Sequence, residues 1–162
     1  MGNIYLNPSG AIFFNLGCIL SGMLLIPFFA GLYNWKPIKK LDKILLILGI
    51  VIGIYASVSL IMVGVFPETH LLSAGGVFGS LFIIIIFLSI ALFRHPKFIH
   101  LIAYYGIITV IIDISFQIIC NGKKLLSSFN QTVPIPGLEW TVCFASMAWV
   151  GFLALNMLIK KV

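Results

Sequence analysis

From Ile44 to Phe66 the chain runs without one charged residue, and four other stretches, 9–33, 70–93, 98–120 and 139–159, are nearly as apolar. About 20 apolar residues in a helix cross a hydrocarbon core of about 30 Å. Lipid offers no partner to a free N–H or C=O, so a crossing segment must close its hydrogen bonds within itself, as a helix does. These stretches consume most of the 162 residues, which leaves no room for a separate soluble module. The expected fold is all-α: one polytopic transmembrane helical bundle of five spans over residues 1–162. Composition agrees, because 9% of the residues are charged where a soluble domain carries about 25%. The solvent this chain requires is a membrane, and the expected location is the cell membrane.

The net charge of +6 does not point to nucleic acid, because the basic residues sit in short patches beside apolar runs. They read as topology signals. Met1–Pro8 carries no basic residue, and the run that follows exceeds a signal-peptide core, so it is expected to be retained as the first span. The connection after span 1 holds Lys36, Lys39, Lys40 and Lys43, the one after span 3 holds Arg94 and Lys97, and Lys160 and Lys161 close the chain. With five spans these three places share a side, and they hold eight of the ten basic residues. Basic residues near span ends stay in the cytoplasm, which predicts an outer N-terminus and a cytoplasmic C-terminus. Trp35 in the first basic connection is expected at headgroup level.

Within the spans, small residues recur at four-residue intervals. Gly17 and Ser21, Gly49, Gly53 and Ser57, and Gly75 and Gly79 mark strips where another helix backbone can approach closely. The Gly49/Gly53 and Gly75/Gly79 strips are the candidate surfaces for a second membrane protein or a second copy. Pro27 falls inside span 1 and is expected to kink it. Pro67 stops span 2, and the turn Val65–His70 is short enough to make spans 2 and 3 antiparallel neighbours.

The polar groups collect toward the outer side. Thr109, Asp113 and Gln117 share one face of span 4, and Asp113 is expected about 10 Å below its outer boundary. An ionisable residue inside a span is costly to expose to lipid and is by default a candidate functional group. Glu68 and His70 flank the span 2–3 turn, and Glu139 opens span 5. Two readings of these residues stand. In one, Glu68, His70, Asp113 and Glu139 converge on an outward pocket, as acid/base groups or, for Glu68, His70 and Asp113, as ligands of a divalent metal. In the other, Glu68 and Glu139 merely favour helix N-termini and Asp113 bonds to a neighbouring helix.

No cofactor is indicated. Glycine-rich phosphate loops, nucleophile elbows and the HExxH pattern are missing, and His70 lies at the opposite boundary from His95 and His100, a poor arrangement for haem. Three cysteines, Cys18, Cys120 and Cys143, lack zinc spacing, though Cys120 and Cys143 share a depth at which a disulfide is conceivable. Asn130-Gln131-Thr132 matches a glycosylation acceptor.

Val63-Gly64-Val65-Phe66-Pro67-Glu68, followed by a histidine and a span rich in small residues, resembles the prokaryotic integral membrane family called domain of unknown function 998. That family is itself distantly similar to the damage-regulated autophagy modulator membrane proteins. Pro136-Gly137-Leu138-Glu139-Trp140, leading into Trp149-Val150-Gly151-Phe152, resembles the start of the family's final span. The chain departs from the pattern in having Trp140 where a basic residue usually follows the glutamate. The resemblance implies a multi-pass topology and supplies no reaction. The expectation is a non-catalytic component that binds lipid or joins a membrane complex; the alternative is an outer-leaflet enzyme or metal-binding protein built on the carboxylate/histidine cluster.

Overall fold

The computed structural model describes residues 8–37, 39–66, 70–125 and 135–160, with side chains described over 8–37, 39–66, 74–119 and 137–160. Five long helices follow one another: α1 (Pro8–Gly31), α2 (Lys40–Val65), α3 (His70–Phe93), α4 (His100–Leu125) and α5 (Ile135–Lys160). All five contain a segment long and apolar enough to cross a membrane, and no strand occurs among the described residues. Each helix packs on its neighbours in sequence, most closely α1 on α2 and α2 on α3. The molecule therefore has a basic end, where α1 meets α2, α3 meets α4 and α5 finishes, and a far end opposite.

Helix boundaries depart from the hydropathy pattern where polar groups have something to bind. α2 begins at Lys40, a turn before its apolar run, with Asp42 in its first turn where a carboxylate complements the helix dipole. The Asp42 carboxylate is buried and accepts a 3.0 Å hydrogen bond from Arg94 Nη1 at the end of α3. α5 begins at Ile135, with Pro136 in the first turn, where its missing N–H costs nothing. Glu139 consequently sits one turn inside α5 and does not cap it. α1 continues helically through Pro27 and ends in a 3₁₀ turn over Leu32–Trp35.

Trp35 closes the 3₁₀ turn at the end of the first span. It is only 1% exposed, with its ring edge-on to His95 and Phe98 at centroid distances of 4.9 and 6.0 Å. It thus plugs the basic end of the bundle. Its indole N–H makes no hydrogen bond among the described residues, so ring packing holds it.

Small residues determine which helices touch. A Cβ on Gly53 would lie 2.5 Å from the Phe29 ring of α1, and one on Gly49 would lie 2.6 Å from Leu88 of α3. One strip of α2 therefore receives a residue from each of two helices, and it is filled from within the chain. Gly75 and Gly79 behave differently, since a Cβ on either would meet nothing within 4 Å; Gly76 is the residue of that stretch pressed against Ser59 and Tyr55. Nothing approaches Gly17 either. α1 is the peripheral helix, with 11% of its apolar window buried against 33–39% for the other four.

A valine at Gly53 must displace an aromatic ring in a filled core, which costs about 1–3 kcal/mol. Gly53→Val is expected to lower the thermal unfolding midpoint of the purified protein, while Gly75→Val leaves it unchanged; equal effects would contradict this packing.

Candidate functional site

Asp113, on the inner face of α4 with Thr109, is fully buried. α4 continues to Leu125, so Asp113 lies about 18 Å from its far end. Gln117 on the next turn and the Phe82 backbone of α3 are close enough to act on it electrostatically. Neither carboxylate oxygen makes a well-formed hydrogen bond among the described residues. The carboxyl stands as a buried acidic group beside Gln117 and the backbone of α3.

Glu139 lines a chamber of about 440 Å³ toward the far end, bounded by α1, α2, α3 and α5. The chamber exists because Gly17 and Ser21 of α1 project too little to fill it, while α1 and α5 meet only sparsely. Among the described residues no helix seats on Gly17, and the space beside it stays open. Its walls are mostly apolar, among them Phe13, Phe14, Leu60, Val77, Phe78 and Met147. Polar character comes from Ser21, the two thiols Cys18 and Cys143, and Glu139. Glu139, Cys18 and Asp113 are all near enough to Cys143 to influence it electrostatically. Asp113 and Glu139 are accordingly brought to one region of the bundle, around a residue that neither carboxylate identified in the sequence.

Glu68 lies outside the described residues, as does Asn130; His70 begins α3, but its side chain is not among those described. Their place in an outer cluster is therefore carried by chain position alone. No group of three His, Cys, Asp or Glu side chains able to hold a metal occurs among the described residues. Cys143 is a free thiol, so it is not bridged to Cys120.

Two polar side chains of the chamber wall, Cys18 and Cys143, were not placed there by the sequence reading. A signal for Cys143 existed: with Glu139 and Ser146 it falls at i, i+4 and i+7, one helical face. Cys18 had none beyond its position beside Gly17. Asn156 was also missed. Fully buried in α5, it accepts a 2.7 Å hydrogen bond from the Ile99 N–H and donates one of 2.9 Å to the Lys97 carbonyl, tying the start of α4 to α5. At this end, partial burial and then the Lys97 charge hold the His95 imidazole below its usual range, against the opposing pull of the Trp35 backbone. These contacts build the basic end.

No family model matches the chain, and no characterised protein or solved structure matches it either. The chamber is thus judged on its own geometry. Apolar walls, a few convergent polar groups and a volume in the range of about 300–1,000 Å³ are the properties of a small-molecule site.

Removing the charge of Asp113 tests whether the carboxylate is structural. Because no described group hydrogen-bonds to it, Asp113→Asn is expected to leave thermal stability unchanged or to raise it by up to about 2 kcal/mol. A fall in folded yield or unfolding temperature would mean that a partner holds the carboxylate.

Proposed function

We propose that the protein is a non-catalytic multi-pass component of the cell membrane that holds a lipid chain in the chamber between α1 and α5. The chamber carries this reading: it is apolar over most of its wall and is bordered by the most peripheral helix. Distribution of the basic residues supports an orientation with the basic end in the cytoplasm and the chamber toward the outer leaflet. Gly75 and Gly79, open on α3, form a small-residue strip on which a helix of another membrane protein can seat. Membership of the domain of unknown function 998 family is part of the proposal and rests on the Val63–Glu68 and Pro136–Trp140 segments.

A second reading is favoured by the gathering of Asp113, Glu139 and Cys143. If Glu68 and His70 complete that group, the chamber becomes an outer-leaflet metal or acid/base site with carboxylate, imidazole and thiol donors.

Gly17 separates the two readings, since its side-chain position is open and a large residue there projects into the chamber without displacing a neighbour. Lipid retained by the detergent-purified protein is expected to fall about tenfold in Gly17→Trp, the loss of about 1.4 kcal/mol of binding, with the unfolding temperature preserved. Unchanged lipid content would overturn the chamber as a lipid site. A stoichiometric divalent metal, lost in Asp113→Asn, would instead establish the second reading.

A further inference from the structure

The chamber between α1 and α5 is graded by depth. Glu139, Cys143 and Met147 follow one another at four-residue steps along α5 and all line it, so this wall descends from carboxylate to thiol to thioether in steps of about 6 Å. The facing wall on α1 presents Phe13 and Phe14, then Cys18, then Ser21. Counted from the far ends of their helices, Glu139 stands about 6 Å deep and Phe14 about 9 Å, whereas Met147 and Ser21 stand about 18–20 Å deep. The charge therefore sits at the mouth among aromatic side chains, and the deeper space is apolar or soft.

Trp140 belongs to the mouth as well, and its ring is held there by stacking on Phe144 at a centroid distance of 5.6 Å. Glu139 is half-buried in this setting, and no lysine, arginine or histidine lines the chamber with it. Among the described residues the only ion pair, Arg94 with Asp42, lies at the opposite end of the bundle. Asp113, near enough to Cys143 to act on it, adds a second acidic group and again no base. A carboxylate drawn partly out of water without a counter-charge is costly, and an entering cation offsets that cost. Aromatic faces attract the same cation through their quadrupoles. An anionic headgroup meets the wrong charge here.

We propose that the chamber selects an amphiphilic cation. Its positive centre is held by Glu139 at the level of Phe14 and Trp140, and its apolar body lies along Cys143 and Met147 toward Ser21. This rests on the chamber being a site for an amphiphile, and it adds the charge of what enters. An ammonium group on a lipid headgroup and one on a free long-chain amine present the same chemistry to Glu139.

Tetraphenylphosphonium and tetraphenylborate, ions of one shape and opposite charge, test it by equilibrium dialysis against the full chain in dodecyl maltoside, with protein-free micelles as the blank. Wild type is expected to bind one phosphonium per chain, about tenfold more tightly than the borate. Glu139→Gln should erase that preference. Trp140→Leu, which keeps the test open should Glu139→Gln fail to fold, should weaken the phosphonium about threefold and leave the borate unchanged. Gly17→Trp, which fills the chamber, should abolish specific binding. Displacement of the phosphonium by phosphatidylethanolamine and not by phosphatidylglycerol would assign the cation to a lipid headgroup; displacement by dodecylamine alone would assign it to a free amine. Equal phosphonium binding by wild type, Glu139→Gln and Trp140→Leu would overturn the cation assignment. If Gly17→Trp still blocked that binding, the chamber would remain an amphiphile site and only its charge preference would fall; binding indifferent to Gly17→Trp would overturn both.

Discussion

The contact on which the bundle depends is the seating of the Phe29 ring against Gly53, with Leu88 of α3 seated against Gly49 one turn away on the same strip of α2. In lipid there is little hydrophobic drive to bring helices together, so close van der Waals fit must do it. A bare backbone at these two positions allows α1 and α3 to approach α2 more closely than any side chain would permit. The tightest half of the molecule is accordingly α1–α2–α3, and α4 and α5 extend the row from α3. Helices arranged in this order leave α1 and α5 in sparse contact, and the chamber occupies the space between them.

The same arrangement sorts the polar groups by depth. At the basic end Asp42 is paired with Arg94, and Asn156 uses both ends of its amide on the backbone before α4. Those bonds are spent on joining α2 to α3 and α5 to α4, and they make that end a fixed base. Deeper in the bundle, Asp113, Ser89 and Trp149 carry buried polar atoms with no hydrogen bond among the described residues. Structural bonding is thus concentrated at the base.

Much of the architecture could be read directly from the residues, because a charge-free run such as Ile44–Phe66 has few options in any solvent. The inward face carrying Thr109 and Asp113 was equally legible, since helical periodicity places both on one side and lipid penalises the opposite choice. Close packing was only half legible. Gly53 and Gly17 look alike in sequence, yet one is filled by Phe29 and the other opens onto a chamber, because the outcome depends on the helix opposite and not on the glycine. The ring neighbours of Trp35, His95 and Phe98, were not legible for a related reason, since they lie on a different connection of the chain. Glu139 was read as a cap because the apolar run starts there, whereas the helix starts earlier, around Pro136, and carries Glu139 inward to the chamber wall. Cys18 and Asn156 left no mark in the pattern, since each acts through a partner far away in sequence.

The account stands or falls on α1 and α5 facing one another across a shared space. Treatment of the wild-type chain in its native membrane with a short bifunctional maleimide, followed by peptide mass spectrometry, examines this directly, because Cys18 and Cys143 sit on opposite walls of that space as free thiols. The predicted product is an intramolecular link between the peptides containing Cys18 and Cys143. Modification of both thiols singly, with no link between them at any reagent concentration, would contradict the chamber and the helix order that creates it.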